Sequence, residues 1–455
     1  MKPVRIICPT GHLGTTPLEK GSFELGCAAA PDYIIADSGS ADIGPYPLGA
    51  DRSASHEVWQ RHDLEHMLLA ARELKVPMII GSASDTGTDR GVDQYVGLIK
   101  DIARQHKLGA FELSYIYSEI PVDALRKRIK SGGTVRGLNG RSDADDAVLT
   151  RTDHVVAVMG ADPIRSALRD GAEVIITGRS SDPAIFAAPL LEAGHSLANA
   201  YFCGKAMECA SFCGEPFMGK ETILGRAEAD GVYVTAMHPQ QRCTPASVAS
   251  HAMYERIDPY REYVPEGYLD MSQCHYEQVD PKTTRVTGQT FVKSDKIWIK
   301  VEGSGKVAER ALFILGMRDP YIIANIDRAI DWAKSKLRER FGEPGGQYNV
   351  FYHKYGQNAV MGEFERPTNV KPHELGIVVE VTAPTFELAD TICHIAAKNL
   401  FYARLPDVKG TAGTVGIMSD EVLRARPAYE WTLNHAIEVD NTMELFRAHR
   451  ETVRG

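Results

Sequence analysis

The sequence predicts an α/β protein. An amino-terminal domain, residues 1–218, is built on a mostly parallel sheet, either open and doubly wound or an irregular barrel. An α+β sandwich domain follows over residues 219–455. Three observations predict this. Short apolar runs at 4–8, 33–36, 76–80, 110–117, 155–159 and 174–176 alternate with helically spaced stretches, the pattern of parallel strands joined by crossovers. After Gly219 the pattern changes to period-two alternation, at 232–236, 285–292 and 296–301. A chain of 455 residues is also too long for one ordinary core.

Composition narrows the class. A hydrophobic fraction of 44% with 24% charged residues is that of a globular protein and excludes a disordered or collagen-like chain. The net charge of −9 offers no basic footprint, so nucleic acid is not an expected partner. No window reaches the roughly 18 apolar residues of a membrane span. The opening MKPVRIICPTGHLG lacks the long apolar region of a signal peptide. The eight cysteines form no CxxC pair, which fits a reduced, cytoplasmic setting.

In order, the strand at 4–8, a helix at 23–30 and the strand at 33–36 lead into ADSGSADIGPYPLGAD. There Asp37, Ser38, Ser40 and Asp42 crowd a turn in which Gly39, Gly44, Pro45 and Pro47 forbid regular structure. Such a loop holds a metal or a carboxylate, or is an Asx-turn cluster that satisfies its own backbone. A helix at 58–74 carries His62 and His66 on one face, but the HExxH zinc motif is absent because Asp63 follows His62. The strand at 76–80 ends in GSASDTGTDRG, where Ser82, Ser84, Asp85 and three glycines offer a weak phosphate loop without Walker or GxGxxG spacing. Helices at 92–105 and 122–130 flank the fourth strand, and the polar stretch 136–153 reads as an exposed connection.

The stretch DGAEVIITGRSSDPAIFAA, 170–188, organises the first half. Its apolar run is a strand, Gly178 permits a sharp turn, and Arg179, Ser180, Ser181 and Asp182 crowd that turn before Pro183 starts a helix. Carboxyl ends of strands are where open α/β sheets and barrels place ligands. The plainer alternative is that Asp182 caps the helix and Arg179 pairs locally.

In the second half, a helix from Leu197 carries Cys203, Met207, Glu208, Cys209 and Cys213. Cys209 and Cys213 fall one helical turn apart, but the spacing matches no iron–sulfur ligand run, and small buried thiols are the expected reading. Thr244 can cap a helix beginning at Pro245, with Arg242 and Cys243 just before it, a carboxylate pocket in outline. Strand and helix pairs follow at 311–315 with 321–341 and at 376–381 with 386–404. Between them lie Tyr355, Asn358 and Glu363, with Gly356 and Gly362 beside them. GTAGTVG at 410–416 is a lid or a flexible loop, and the chain closes in a polar helical tail.

Several stretches together resemble a known family. They are DSGSADIGPYPLG from Asp37, GAEVIITGRSSD from Gly171, Glu208-Cys209, RCTPASVASHAMYERIDPYREY from Arg242, YGQNAVMGE from Tyr355 and HELGIVVEVTAPTFELA from His373. This set resembles the acyclic terpene utilisation (AtuA-like) family along nearly the whole chain. The resemblance implies a metabolic role, an oligomer, and a small partner protein of about a hundred residues, encoded beside enzymes of branched dicarboxylate breakdown.

On that basis the expected activity is a hydro-lyase acting on a small mesaconate- or citramalate-like acid. Asp37, Asp182, Glu208 and Arg179 would be catalytic; Ser40, Ser82, Ser84, Ser181, Arg242, Cys243, Asn358 and Glu363 would bind substrate. Arg179 and Arg242 would clamp carboxylates, and a divalent ion on Asp37 and Asp42 is one source of positive charge for an enolate. Arg179→Ala is expected to abolish turnover while leaving the fold intact. Two alternatives stand beside this: an enzyme acting on a terpenoid acyl-CoA, and a non-catalytic metabolite-binding scaffold for the small partner.

Overall fold

The run VRIIC forms strand β1 (Val4–Cys8), and four more parallel strands follow: β2 (Tyr33–Asp37), β3 (Met78–Gly81), β4 (Phe111–Tyr117) and β5 (Val174–Thr177). The computed structural model describes residues 2–15, 17–366, 370–406, 415–417 and 422–455. They form a mixed α/β protein with several sheets, in two compact units: residues 1–305 with 430–455, and residues 306–429.

In the larger unit the parallel strands lie in the order β1-β2-β3-β5-β4. Successive side chains of a strand point to opposite faces, and here both faces are buried. Ile6, Ile35, Ile79 and Ile175 pack on one side with Phe186 and Phe202 from the helices Asp182–Glu192 and Leu197–Met207. Ile7, Ile34, Ile80 and Ile176 pack on the other with Leu64 and Ile99 from the helices Glu57–Leu74 and Asp89–Gln105. Each such side chain, fully buried, stabilises the fold by ~1.5–3 kcal/mol, and the central runs Ile34–Ala36, Met78–Ile80 and Val174–Ile176 carry no polar residue. The first two helices approach so closely that a Cβ on Gly204 would lie 2.2 Å from the Pro183 carbonyl oxygen.

Antiparallel strands extend both edges. Ile223–Glu228 pairs with β1, with Ile6 opposite Gly225, and Gly231–Ala236, Thr283–Thr287 and His275–Asp280 follow outward. Arg447–Val453 pairs with β4, Arg450 lying opposite Ser114. The boundary expected at 218/219 therefore falls inside the larger unit. The strands after it change period because they are antiparallel, some of them added to the first sheet and others, such as Thr290–Lys293 and Ile297–Met317, belonging to separate sheets. The expected helical tail is likewise a pair of strands, Ala428–Val439 and Arg447–Val453. Its charges are surface partners of that sheet edge: Arg450 Nε donates to Glu112 at 2.7 Å.

The run near 155 is a strand, His154–Ala157, but it does not join the parallel sheet. It pairs antiparallel with the first part of the long strand Ile297–Met317, Val301 opposite Ala157. Val155 and Ala157 bury there with Ile299, Val301 and Leu433 in a separate core.

The smaller unit pairs the last part of Ile297–Met317 with Leu375–Ala383, which pairs in turn with Asn349–Tyr355. Alternate residues Phe313, Leu315, Ile377 and Val379 meet Ile330, Leu337, Ile392 and Ala396 of the helices Ile326–Phe341 and Phe386–Phe401. The segment 410–416 lies outside the described residues except for Val415 and Gly416.

Candidate functional site

Three adjacent parallel strands, β2, β3 and β5, deliver polar side chains at their carboxyl ends. Asp37 closes β2 opposite Gly81, and Ser82 follows β3. After β5 the chain turns at Gly178, where a Cβ would lie 2.3 Å from Ser118 Oγ, so only glycine fits. Ser118 Oγ accepts the Arg179 backbone N–H at 2.7 Å, and this fixes where the arginine starts.

The Arg179 side chain is 11% exposed and spans several partners. Nη1 donates to Asp182 at 2.9 Å, to Ser82 Oγ at 3.1 Å and to the Ser180 carbonyl at 2.8 Å. Nε donates to Glu302 at 2.9 Å, whose other oxygen accepts from Lys300 at 2.7 Å. Burial alone would raise the Glu302 carboxyl, but the two cations outweigh it and hold its pKa at about 2. Asp37 behaves in the opposite way. Burial pushes it well above the usual range, Asp182 reinforces the rise, and the two carboxyls hydrogen-bond each other against the opposing pull of Arg179. Such a bond requires a proton on one of them.

A second group stands at the end of the helix Leu197–Met207. Lys205 is paired with Glu208, and Arg256 Nη2 lies 3.9 Å from Glu208 and pairs with Glu262. Burial raises Glu208 to about 8, with Glu262 and Asp182 adding to the rise and Lys205 opposing it. His251 Nε2 donates to the Glu208 carbonyl at 2.6 Å, and burial keeps that ring neutral, its pKa at about 3. A third pair, Asp42 and Glu255, shares a hydrogen bond, and Glu255 is raised by burial first and Asp42 second.

These groups open on one cavity of about 1080 Å³ in the larger unit. Its inner wall carries Ser40, Asp42, Arg179, Ser181, Asp182, Lys205, Glu208, Glu255, Arg256, Glu262 and Lys300, and its outer wall adds Arg136, Tyr263, Tyr268, Lys293 and Trp298. Protonated carboxyls beside fixed cations can give and take protons and can stabilise an oxyanion.

Of the residues singled out from sequence, Asp37, Ser40, Asp42, Arg179, Ser181, Asp182 and Glu208 converge on or just behind this cavity, and Ser82 holds Arg179 from below. Asp182 does not cap its helix. Ser181 occupies the N-cap and Asp182 the first turn. Ser40 does form the local turn that was its plainer reading, accepting the Asp42 N–H at 3.1 Å.

Others lie elsewhere. Ser84 is buried and donates to Gln94 at 2.8 Å. The loop around it spends its backbone donors internally, Asp85 N–H on Ser38 O at 2.8 Å and Gly87 N–H on Ala83 O at 3.1 Å, so it is not an open phosphate cradle. Arg242 and Cys243 form a two-residue strand against Gly214–Glu215 and do not line the cavity. Arg242 Nε meets Glu215 at 3.3 Å, and the buried Cys243 thiol is pushed up by burial and then by Glu215. The two-arginine clamp is therefore absent. Asn358 and Glu363 belong to the smaller unit, in an exposed turn where Asn358 has φ of 60°.

The helix from Leu197 ends at Met207, and Cys209 is left-handed with φ of 45°, so Cys209 and Cys213 are not stacked on one helix. Burial pushes the Cys203 and Cys209 thiols to about 12. Asp37 and Asp42, expected to share a divalent ion, are committed to different neighbours, Asp182 and Glu255. Among the described residues no group of three or more His, Cys, Asp or Glu could hold a metal ion. His62 and His66 form a helix-face pair with ring centroids 4.4 Å apart.

Sequence reasoning missed Lys205, Glu302, Lys300, Glu262 and Arg256. Two signals were available: Lys205 and Glu208 have i,i+3 spacing, and Lys300 and Glu302 alternate onto one face of a strand whose neighbours are apolar.

Among the described residues no helix is long and apolar enough to cross a membrane. No curated protein and no solved structure matches the chain. The family model described as acyclic terpene utilisation family protein AtuA matches residues 4–444. With nearly its whole length matched, the chain belongs to the AtuA acyclic terpene utilisation family.

Proposed function

We propose that this chain is an enzyme that moves protons on a terpenoid-type acyl group, adding or removing water next to an activated carbonyl. The observation that carries this reading is the convergence of the Lys205–Glu208 pair and the Arg179 fork on one cavity. Glu208, held protonated up to about pH 8, gives a proton to the departing or arriving oxygen. Among the described residues Arg179 Nη2 makes no hydrogen bond within the protein, and it donates to the carbonyl oxygen as negative charge builds there. Asp182, one-third exposed and hydrogen-bonded to Asp37, takes the proton from the carbon beside the carbonyl.

Two features favour a long acyl group over a small dicarboxylate. The second guanidinium of the expected clamp, Arg242, is not at the cavity, and of the other guanidiniums there Arg256 and Arg261 are spent on Glu262 and Asp258 while Arg136 lies over Trp298. The volume of about 1080 Å³ stands at the upper end of small-molecule sites, far more than a five-carbon diacid fills.

The test is to incubate the chain, alone and with the small partner protein expected from its family, with branched unsaturated acids, their thioesters and mesaconate-like diacids. Mass changes of one water are followed. Conversion of branched acyl substrates supports the reading, and conversion of diacids alone returns the site to small-acid chemistry. Thermal stabilisation by these ligands without any mass change marks a binding scaffold and overturns the proposal.

A further inference from the structure

The charges around the cavity do not cancel evenly. Arg179 is partnered by Asp182 and Glu302, Arg256 by Glu262, Arg261 by Asp258 and Lys300 by Glu302, while Lys205 spends its ammonium on a hydrogen bond to the Glu208 carboxyl. Two lining cations, Arg136 and Lys293, have no carboxylate partner and no side-chain hydrogen bond among the described residues. Both belong to the outer wall.

Arg136 is not loose, however. Its guanidinium carbon stands 5.6 Å from the centre of the Trp298 ring, a cation–π contact that restrains the side chain without spending any of its five donors. Lys293 is brought to the same wall by the backbone. Ser294 N–H donates to Glu266 O at 2.8 Å and Trp298 N–H to Pro265 O at 3.2 Å, so both flank one turn. Tyr263 and Tyr268 line the wall next to them, ring centroids 5.5 Å apart. Aromatic side chains, the partly buried Tyr268 and Trp298 and the exposed Tyr263, combined with unspent cations recognise a phosphate attached to a flat ring. The cations take the charge, and the rings take the base by stacking.

We propose that this outer wall is a subsite for a phosphorylated nucleoside, the handle on which the acyl group is carried into the cavity as a thioester. The inference rests on the acyl reading above and specifies the form of that substrate. The inner wall handles the carbonyl, while Arg136, Lys293 and Trp298 hold the far end.

The experiment titrates adenosine bisphosphate, adenosine and inorganic pyrophosphate against the full chain, by calorimetry and by tryptophan emission. Adenosine bisphosphate is expected to bind saturably and quench emission. Adenosine and pyrophosphate alone should bind at least ~10-fold more weakly, because each supplies only one half of the recognition. Trp298→Phe should remove the quench while calorimetry still detects binding, and Arg136→Ala should weaken binding ~10-fold or more. Absence of saturable binding overturns the proposal, as does pyrophosphate binding as tightly as the bisphosphate, which would mark a simple anion site. No acyl group or turnover enters this titration. Its failure leaves the acid–base reading standing, whereas a chain that binds the bisphosphate and converts no thioester contradicts that reading instead.

Discussion

Arg179 Nε donates to Glu302 at 2.9 Å, joining the turn after the central strand β5 to a strand more than a hundred positions later in the chain. Glu302 is 4% exposed, so each charge depends on the other for its place in the interior. Removing one partner of such a pair typically costs ~3–5 kcal/mol, because the remaining charge is left buried and uncompensated. Arg179→Ala is accordingly expected to lower the urea midpoint markedly, in contrast to the intact fold expected from the sequence alone. Arg179→Lys keeps the charge but loses the fork, so it should retain more stability while losing turnover. An Arg179→Ala chain as stable as the parent would refute the structural role.

The pH dependence of stability has two limbs of opposite sign. Glu302 is depressed from 4.5 to about 2, so its contribution is present above pH 4.5 and fades as pH falls through about 2. Glu208 is raised from 4.5 to about 8, so its contribution is full below pH 4.5 and is lost as pH rises through about 8. Urea unfolding across pH should show both limbs. Glu302→Gln flattens the acid limb, and Glu208→Gln flattens the alkaline one.

The proton on Glu208 is directly observable. A protonated-carboxyl infrared band should persist to about pH 8 in the parent chain and lose that component in Glu208→Gln. Once a converted substrate is in hand, the same variant should lose ~10²–10⁴-fold in kcat, the usual worth of a positioned proton donor. A rate unaffected by Glu208→Gln would assign the proton to Asp37 or Glu255.

Gly204 couples packing to the site. A Cβ there would press to 2.2 Å from the Pro183 carbonyl oxygen, and the neighbours in sequence of these two residues are Lys205 and Asp182. Gly204→Ala should cost ~1–3 kcal/mol by overpacking and separate the two helices. Because the cavity residues ride on those helices, it should lower kcat more than a surface exchange of equal stability cost.

How much of this was legible depended on the distance over which the chemistry is organised. The apolar runs of β1 to β5 are local signals, and their observed bounds lie within two residues of the expected ones. Asp37, Ser82 and Arg179 were found because strand ends carry polar turns. Sheet membership was not legible in the same way. His154–Ala157 has the same apolar look as β5, yet it joins another sheet, since its pairing partners lie more than a hundred positions away. Arg242 misled for a related reason: a cation before a helix looks like an anion site until Glu215 is seen across from it. Lys300 and Glu302 share one face of an apolar strand, a local signal, but that Glu302 meets Arg179 and Lys300 meets Glu302 is set by the fold and not by that pattern.

The larger unit is interrupted: residues 430–455 return to it after 306–429 have formed a unit of their own. The last strand of the host, Arg447–Val453, therefore takes its place beside β4 from the far side of the inserted unit in sequence. A chain cut after position 446 would leave β4 as an unpaired sheet edge, a template for association with a second copy, and should therefore aggregate where the full chain does not.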